Sequence, residues 1–207
     1  MAIRLICLLI GYAFGCIQSA YIVGRLVKKI DVREHGSGNA GMTNVIRVVG
    51  RRAGLIVFIC DVLKAIAAFV LCVLIFNREG DLYAEGFSIL PGLYAGLGVL
   101  LGHNFPFFLK FKGGKGIASS LGLMLVIDWR AALAVYVLGF FTIAVSRYIS
   151  LGSLLMVLAF PLLLFGLSHR PETLIVSLAM AAMAIYLHRG NIQRLLNGTE
   201  RKLVLRR

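Results

Sequence analysis

Acidic residues are scarce in this chain. Nine Asp and Glu stand against 22 Lys and Arg, for a formal net charge of +13. Asp31 and Glu34 are the only acids in the first polar loop, so no paired-carboxylate site offers itself to a metal. Cysteine is also sparse. Cys7, Cys16, Cys60 and Cys72 fall inside apolar stretches and form no C-x-x-C. That excludes a zinc framework and a disulfide scaffold, and leaves small apolar core residues. None of the four histidines is followed by aspartate five positions on, so an H-x4-D dyad is absent. No serine sits in G-x-S-x-G, which excludes a nucleophile elbow. No A-x-A follows the first apolar stretch, and Arg25, Lys28 and Lys29 flank it, so it is not a cleaved signal peptide. An enzyme with this inventory has neither an obvious nucleophile nor an obvious metal. Its substrate must arrive activated, and its catalysis must rest on positioning and electrostatics.

Apolar residues are abundant, at 59% of 207 positions, with a mean hydropathy of +0.89. This is the composition of a bundle in lipid. The expected fold is an all-α integral membrane protein in a single domain of seven transmembrane helices. The expected spans are 3–27, 53–76, 89–101, 115–127, 130–145, 151–167 and 172–187. Gly11, Gly15 and Gly24, and then Gly92, Gly96, Gly98 and Gly102, permit close helix contacts. With seven crossings, one side carries Arg25, Lys28, Lys29, Arg33, Arg47, Arg51, Arg52, Lys110, Lys112, Lys115, Arg147 and the basic tail through Arg206 and Arg207. The other side carries only Arg4, Arg78, Arg130 and Arg170, beside the acids Glu79, Asp81 and Glu85. The positive-inside rule then places the N-terminus outside and the C-terminus in the cytosol. Part of the net charge is therefore topology signal and attraction to anionic lipid, and it is not evidence for nucleic-acid binding.

The unusual polar chemistry lies on the cytosolic side. His35-Gly36-Ser37-Gly38-Asn39-Ala40-Gly41-Met42-Thr43-Asn44 is glycine-rich, and three positive-φ glycines would turn N–H groups toward one anion. A short helix over Thr43–Val49 would follow, with Arg47 and Arg51 sharing a helical face. A second loop runs from Gly102 through His103-Asn104-Phe105-Pro106 to Gly113-Gly114-Lys115-Gly116. It sets Lys115 at the start of the fourth span, yet it is not a nucleotide P-loop, because Gly116 replaces the required Ser or Thr. Ser150 and Ser153 can cap the sixth helix. His188, Asn191 and Arg194 recur at three-residue spacing on a helical extension of the last span. Asp61 and Lys64, three apart inside the second span, either neutralise each other or mark function.

These motifs resemble a known family. Ser37-Gly38-Asn39-Ala40-Gly41-Met42-Thr43-Asn44-Val45-Ile46-Arg47 is similar to the first motif of the bacterial acyl-phosphate:glycerol-3-phosphate acyltransferases, the PlsY family. Gly102 to Pro106 with Lys112 to Gly116 resembles the second, and Tyr148-Ile149-Ser150-Leu151-Gly152-Ser153 the third. Asp61-Val62-Leu63-Lys64 and His188 to Arg194 fit the same pattern, so the likeness runs nearly end to end. It implies a seven-helix bundle with short interfacial or re-entrant helices in its cytosolic loops, in the bacterial cytoplasmic membrane with a cytosolic active site. The implied reaction moves a fatty acyl group from acyl phosphate to the 1-hydroxyl of glycerol 3-phosphate, with no cofactor and no metal. The partners are those two substrates and membrane lipid, with no nucleic acid, and the chain is taken as a monomer. By this resemblance Ser37, Gly38, Gly41 and Thr43 cradle one phosphate while Asn39 and Asn44 shape the loop or donate. Arg47 and Lys115 supply charge, and His103 and Gly114 belong to the second loop's binding site. Ser150, Ser153, His188, Asn191 and Arg194 complete the glycerol phosphate site. His188 and a substrate phosphate oxygen are both candidates for the base. A non-enzymatic reading stays open beside this one: a small transporter or lipid-binding protein whose basic loops only set topology.

Overall fold

A computed structural model describes residues 1–77, 88–168 and 170–203. Arg78, Glu79, Asp81, Glu85, His169, Arg206 and Arg207 lie outside the described residues. All regular structure within them is helical. The chain divides into two compact units, Met1–Ile127 and Asp128–Arg207.

The first unit contains α1 (Ala2–Gly15), α2 (Ser19–Lys28), α3 (Met42–Val48), α4 (Arg51–Phe76), α5 (Leu90–Asn104) and α6 (Ile117–Ile127). Glycine lets α1 and α5 meet backbone to backbone. A Cβ at Gly11 or Gly15 would collide with the backbone of Ala95 or Val99, and one at Gly98 or Gly102 with that of Leu8 or Tyr12. Each helix carries its pair four residues apart, so the pair falls on one face. Gly122 of α6 meets Val62 of α4 in the same way.

The expected first span, 3–27, is matched by the apolar stretch Ala2–Lys28, but its helix is interrupted between α1 and α2. Two buried side chains take up the carbonyls that the break releases. Gln18 Nε2 donates to Gly15 O at 3.2 Å, and Lys64 Nζ donates to Ile17 O at 2.7 Å. Gln18 Nε2 also reaches the Gly102 and His103 carbonyls of α5, at 3.3 and 3.1 Å. Non-helical backbone inside a membrane protein persists only where protein groups satisfy it in this way.

The second unit contains α7 (Trp129–Ser146), α8 (Ile149–Ser168), α9 (Pro171–Leu187) and α10 (Arg189–Leu196). Asp128 caps α7, accepting from the N–H groups of Arg130 and Ala131 at 2.9 and 3.1 Å. Gly139 and Gly152 bring α7 and α8 together, since a Cβ at Gly152 would strike the Gly139 carbonyl.

Among the described residues, five helical stretches are long and apolar enough to cross a bilayer: Ala2–Lys28, Arg51–Phe76, Leu90–Leu109, Trp129–Ser146 and Ile149–Leu167. Pro171–Leu187 with Arg189–Leu196 makes a sixth if that pair, bent by 60°, is counted as one span. Where a span over 115–127 is expected, the helix Ile117–Ile127 has 11 residues and so reaches only about 16 Å. Large apolar side chains point outward along the long helices, with Leu74 61%, Phe141 68% and Leu162 68% exposed. That is the inverse of a water-soluble surface. Cys7 and Cys72 are core residues as expected, but Cys60 is on the exposed face of α4.

Candidate active site

The first loop is shaped by one side chain. Asn44, 1% exposed, accepts from the Ser37 N–H through Oδ1 at 2.8 Å. Its Nδ2 donates to the Val32 and His35 carbonyls at 2.8 and 3.0 Å. Gly36 and Gly38 take φ of +66° and +71° as expected, and a Cβ at Gly36 would strike Asn44 Oδ1. Gly41 does not: its φ is −158°, extended backbone, as it leads into α3.

The loop spends several N–H groups on itself. Ser37 bonds to Asn44, Gly38 to His35 O at 3.1 Å and Gly41 to Asn39 O at 3.0 Å. Ser37 is exposed and Asn39 and Thr43 are half-buried, while the Asn44 N–H in the first turn of α3 donates to Gly41 O at 3.1 Å. Arg47 lies exposed in the last turn of α3. The expectation that Arg47 and Arg51 share one helical face fails. α3 ends at Val48, Gly50 takes φ +138°, and Arg51 begins α4.

The second loop closes against α5. Gly114 N–H donates to His103 O at 3.0 Å and Gly113 N–H to Asn104 O at 3.1 Å. Neither glycine tolerates a side chain. A Cβ at Gly114 would run into His103 Nε2 and the Ala40 carbonyl, and one at Gly113 into the His103 carbonyl. Ala40 belongs to the first loop, so the two glycine loops are in contact. Lys115, half-buried, stands two residues before α6, near the expected position.

Beneath the loops lies a buried polar chain. Lys64 Nζ is 2.8 Å from Asp61 Oδ1 and 2.9 Å from His103 Nδ1. Ser19 Oγ donates to Asp61 Oδ1 at 3.0 Å, and Ser119 Oγ donates to the Asp61 carbonyl at 3.1 Å. An ammonium only donates, so His103 Nδ1 accepts and the ring proton sits on Nε2, beside Gly114. Asp61 and Lys64 thus neutralise each other and also set the imidazole behind the second loop. Ser19, Gln18 and Ser119 had no sequence signal, because isolated polar residues beside a span read as ordinary helix ends.

In the second unit Ser150, Asn191 and Arg194 meet at one carboxylate that the sequence reading passed over. Glu200 accepts from Ser150 Oγ at 2.9 Å, Asn191 Nδ2 at 2.7 Å and Arg194 Nε at 2.7 Å. Burial pushes this carboxyl up, and the three hydrogen bonds outweigh it, leaving it below its ordinary value. Glu200 could have been noticed as the lone acid in a basic tail. Ser150 lies within the first turn of α8, which begins at Ile149, and Ser153 in its second. The capping expectation therefore fails for Ser150, whose hydroxyl is turned to Glu200, while Ser153 is buried. His188 is buried at the bend between α9 and α10, and its Nδ1 lies 2.8 Å from Ala184 O. A carbonyl only accepts, so Nδ1 carries a proton. Among the described residues, no three His, Cys, Asp or Glu side chains are placed to share a metal ion.

The comparisons with known proteins agree with one another. Residues 5–198 match the family model described as Glycerol-3-phosphate acyltransferase. A glycerol-3-phosphate acyltransferase of Thermoanaerobacter pseudethanolicus is 42% identical over 195 residues, covering 94% of this chain and 93% of the relative. One of Clostridioides difficile is 42% identical over 197 residues, covering 94% and 92%. Crystal structures of PlsY, an integral membrane glycerol 3-phosphate acyltransferase, superimpose well. The glycerol 3-phosphate form has a TM-score of 0.85 at 33% identity, covering 97% of this chain and 96% of that one. The lysophosphatidic acid form has a TM-score of 0.83, also at 33% identity, covering 97% and 95%. Matched by the family model over residues 5–198 and by relatives over almost its whole length, this chain belongs to the glycerol-3-phosphate acyltransferase family.

Proposed function

We propose that this protein transfers a fatty acyl group from acyl phosphate to the 1-hydroxyl of sn-glycerol 3-phosphate. The products are 1-acyl-sn-glycerol 3-phosphate and inorganic phosphate. The observation that carries the reading is the pair of touching glycine loops in the first unit, flanked by Arg47 and Lys115 and held rigid by buried side chains. Rigid, basic, glycine-lined loops suit phosphate groups, and both substrates carry one.

The chemistry needs no protein nucleophile. Acyl phosphate is a mixed anhydride. The glycerol hydroxyl oxygen attacks its carbonyl carbon, and the tetrahedral intermediate collapses by breaking the bond from that carbon to the phosphate oxygen. The hydroxyl proton passes to His188 Nε2 or to an oxygen of the substrate phosphate. Arg47 and Lys115 offset the charge on phosphate and on the developing oxyanion. Ser37, Gly38, Asn39, Gly41, Thr43 and Asn44 are assigned to phosphate binding and to the shape of that loop, with His103 and Gly114 behind it. Ser150, Ser153, Asn191 and Arg194 are assigned to glycerol phosphate. The chain acts as a monomer in the bacterial cytoplasmic membrane, crossing seven times with its N-terminus outside and its active face in the cytosol.

The test is transfer to labelled glycerol 3-phosphate by purified protein given acyl phosphate, acyl-CoA or acyl-carrier protein. Product with acyl phosphate alone, with phosphate released in equal amount, is the expected result. Product only with a thioester moves the donor assignment. No product with any donor, from folded protein, favours the non-enzymatic membrane-protein reading. Arg47→Ala and Lys115→Ala should each lower kcat/KM by about a hundredfold or more, the scale of a lost charge-stabilising contact. Full activity in both variants would remove these two side chains from the phosphate site.

A further inference from the structure

Arg33 is one more basic residue of the cytosolic side in the sequence, yet its guanidinium is almost fully committed. Nε donates to Asp31 Oδ1 at 3.0 Å, and Nη2 to Asp31 Oδ2 at 2.6 Å. Nη1 donates to two carbonyls of the other loop, Leu109 O at 3.0 Å and Lys112 O at 3.1 Å. The face of the group lies over the Tyr21 ring, 5.4 Å from its centroid. Asp31 is itself anchored, accepting from the Arg33 N–H at 3.0 Å. A planar fork can serve a carboxylate on one edge and two carbonyls on the other, whereas the point charge of a lysine cannot.

The segment so gripped is under strain. Lys110 and Phe111 are consecutive non-glycine residues in the left-handed region, at φ +55° and +58°. Such a pair persists only when its surroundings hold it there. The gripped carbonyls, of Leu109 and Lys112, bracket the two strained residues, and Gly113 follows immediately. Any relaxation at Lys110–Phe111 is therefore transmitted into Gly113-Gly114-Lys115.

We infer that Arg33, anchored by Asp31, is a positioning residue that clamps the strained 109–112 turn and so sets where the Gly113-Gly114-Lys115 segment stands against the first loop. This deepens, and its kinetic part rests on, the reading of that segment as a phosphate site. The clamp orients backbone and touches no reacting atom.

The experiment pairs kinetics with proteolysis on full-length Arg33→Gln and Asp31→Asn proteins. Endoproteinase Lys-C cuts after lysine, and Lys110 and Lys112 are both exposed. A released turn should be cut at these lysines about tenfold faster in Arg33→Gln, because cleavage follows the open population, and by a smaller factor in Asp31→Asn. The KM for glycerol 3-phosphate or for acyl phosphate should rise about tenfold with kcat within about threefold, since a misplaced loop weakens binding of a phosphate group. A role limited to general stability would instead lower the yield of folded protein and leave KM unchanged. Wild-type cutting in Arg33→Gln overturns the clamp whatever the kinetics. Faster cutting with both KM values unchanged overturns its functional part. Were the wild-type protein inactive with every donor, the proposed activity would fail by itself, and the Lys-C arm would still decide whether Arg33 holds the turn.

Discussion

At the scale of single residues, the polar side chains that matter most act on backbone. Asn44 ties three segments of the first loop together through both ends of its amide. Asn44→Ala would strand the Ser37 N–H and two carbonyls, for a loss of about 2–3 kcal/mol. Thermal unfolding of the purified variant measures this. A melting temperature equal to wild type would mean that the loop is held by something else. Glu200 gives a pH dependence. Its carboxyl lies below the ordinary 4.5 in the folded chain. Its contribution is therefore fully present above the unfolded value and is lost as pH falls through the lower folded one. Unfolding temperature should be insensitive to this group from about pH 6 upward and should fall below about pH 4. Glu200→Gln should lessen that acid-side fall. An identical profile in the variant would show that the three hydrogen bonds do not favour the ionised form.

Between elements, the decisive atoms are missing ones. The α1–α5 contact exists because four glycines remove Cβ atoms that would otherwise enter the opposing backbone. Gly98→Val should cost about 2–3 kcal/mol, since backbone cannot step aside as a side chain can. Gly166 of α8 has nothing within 4 Å of a built Cβ, so Gly166→Ala should stay within about 0.5 kcal/mol of wild type. Unfolding of both variants in the same detergent checks the contrast, and equal losses would refute the packing argument. The break between α1 and α2 belongs to this scale too. Its open carbonyls are useful because Gln18 and Lys64 convert them into anchors for α5 and for His103.

For the whole molecule, the charge bias makes a topological prediction. On a background without the native cysteines, Thr199→Cys should react with a membrane-impermeant maleimide only in inverted vesicles. Trp129→Cys, at a side chain 64% exposed, should react from outside in intact cells. The reverse pattern would turn the protein over and defeat the positive-inside assignment.

Hydropathy and glycine spacing were enough, from sequence alone, to establish a helical membrane protein, its two glycine loops and the helix faces that pack most closely. These are one-dimensional properties: runs of apolar residues, residues four apart, and a residue type that tolerates positive φ. Only the tertiary structure decided what those loops rest on. The clamp from Arg33 to the 109–112 turn, the passage from Asp61 through Lys64 to His103, and the gathering of Ser150, Asn191 and Arg194 on Glu200 join residues far apart in the chain, or residues that looked like topology signal or helix caps. Spacing along a chain carries no record of which distant carbonyl or carboxylate will satisfy a buried donor. That pairing is settled when the helices pack and each polar group taken from water must find a partner.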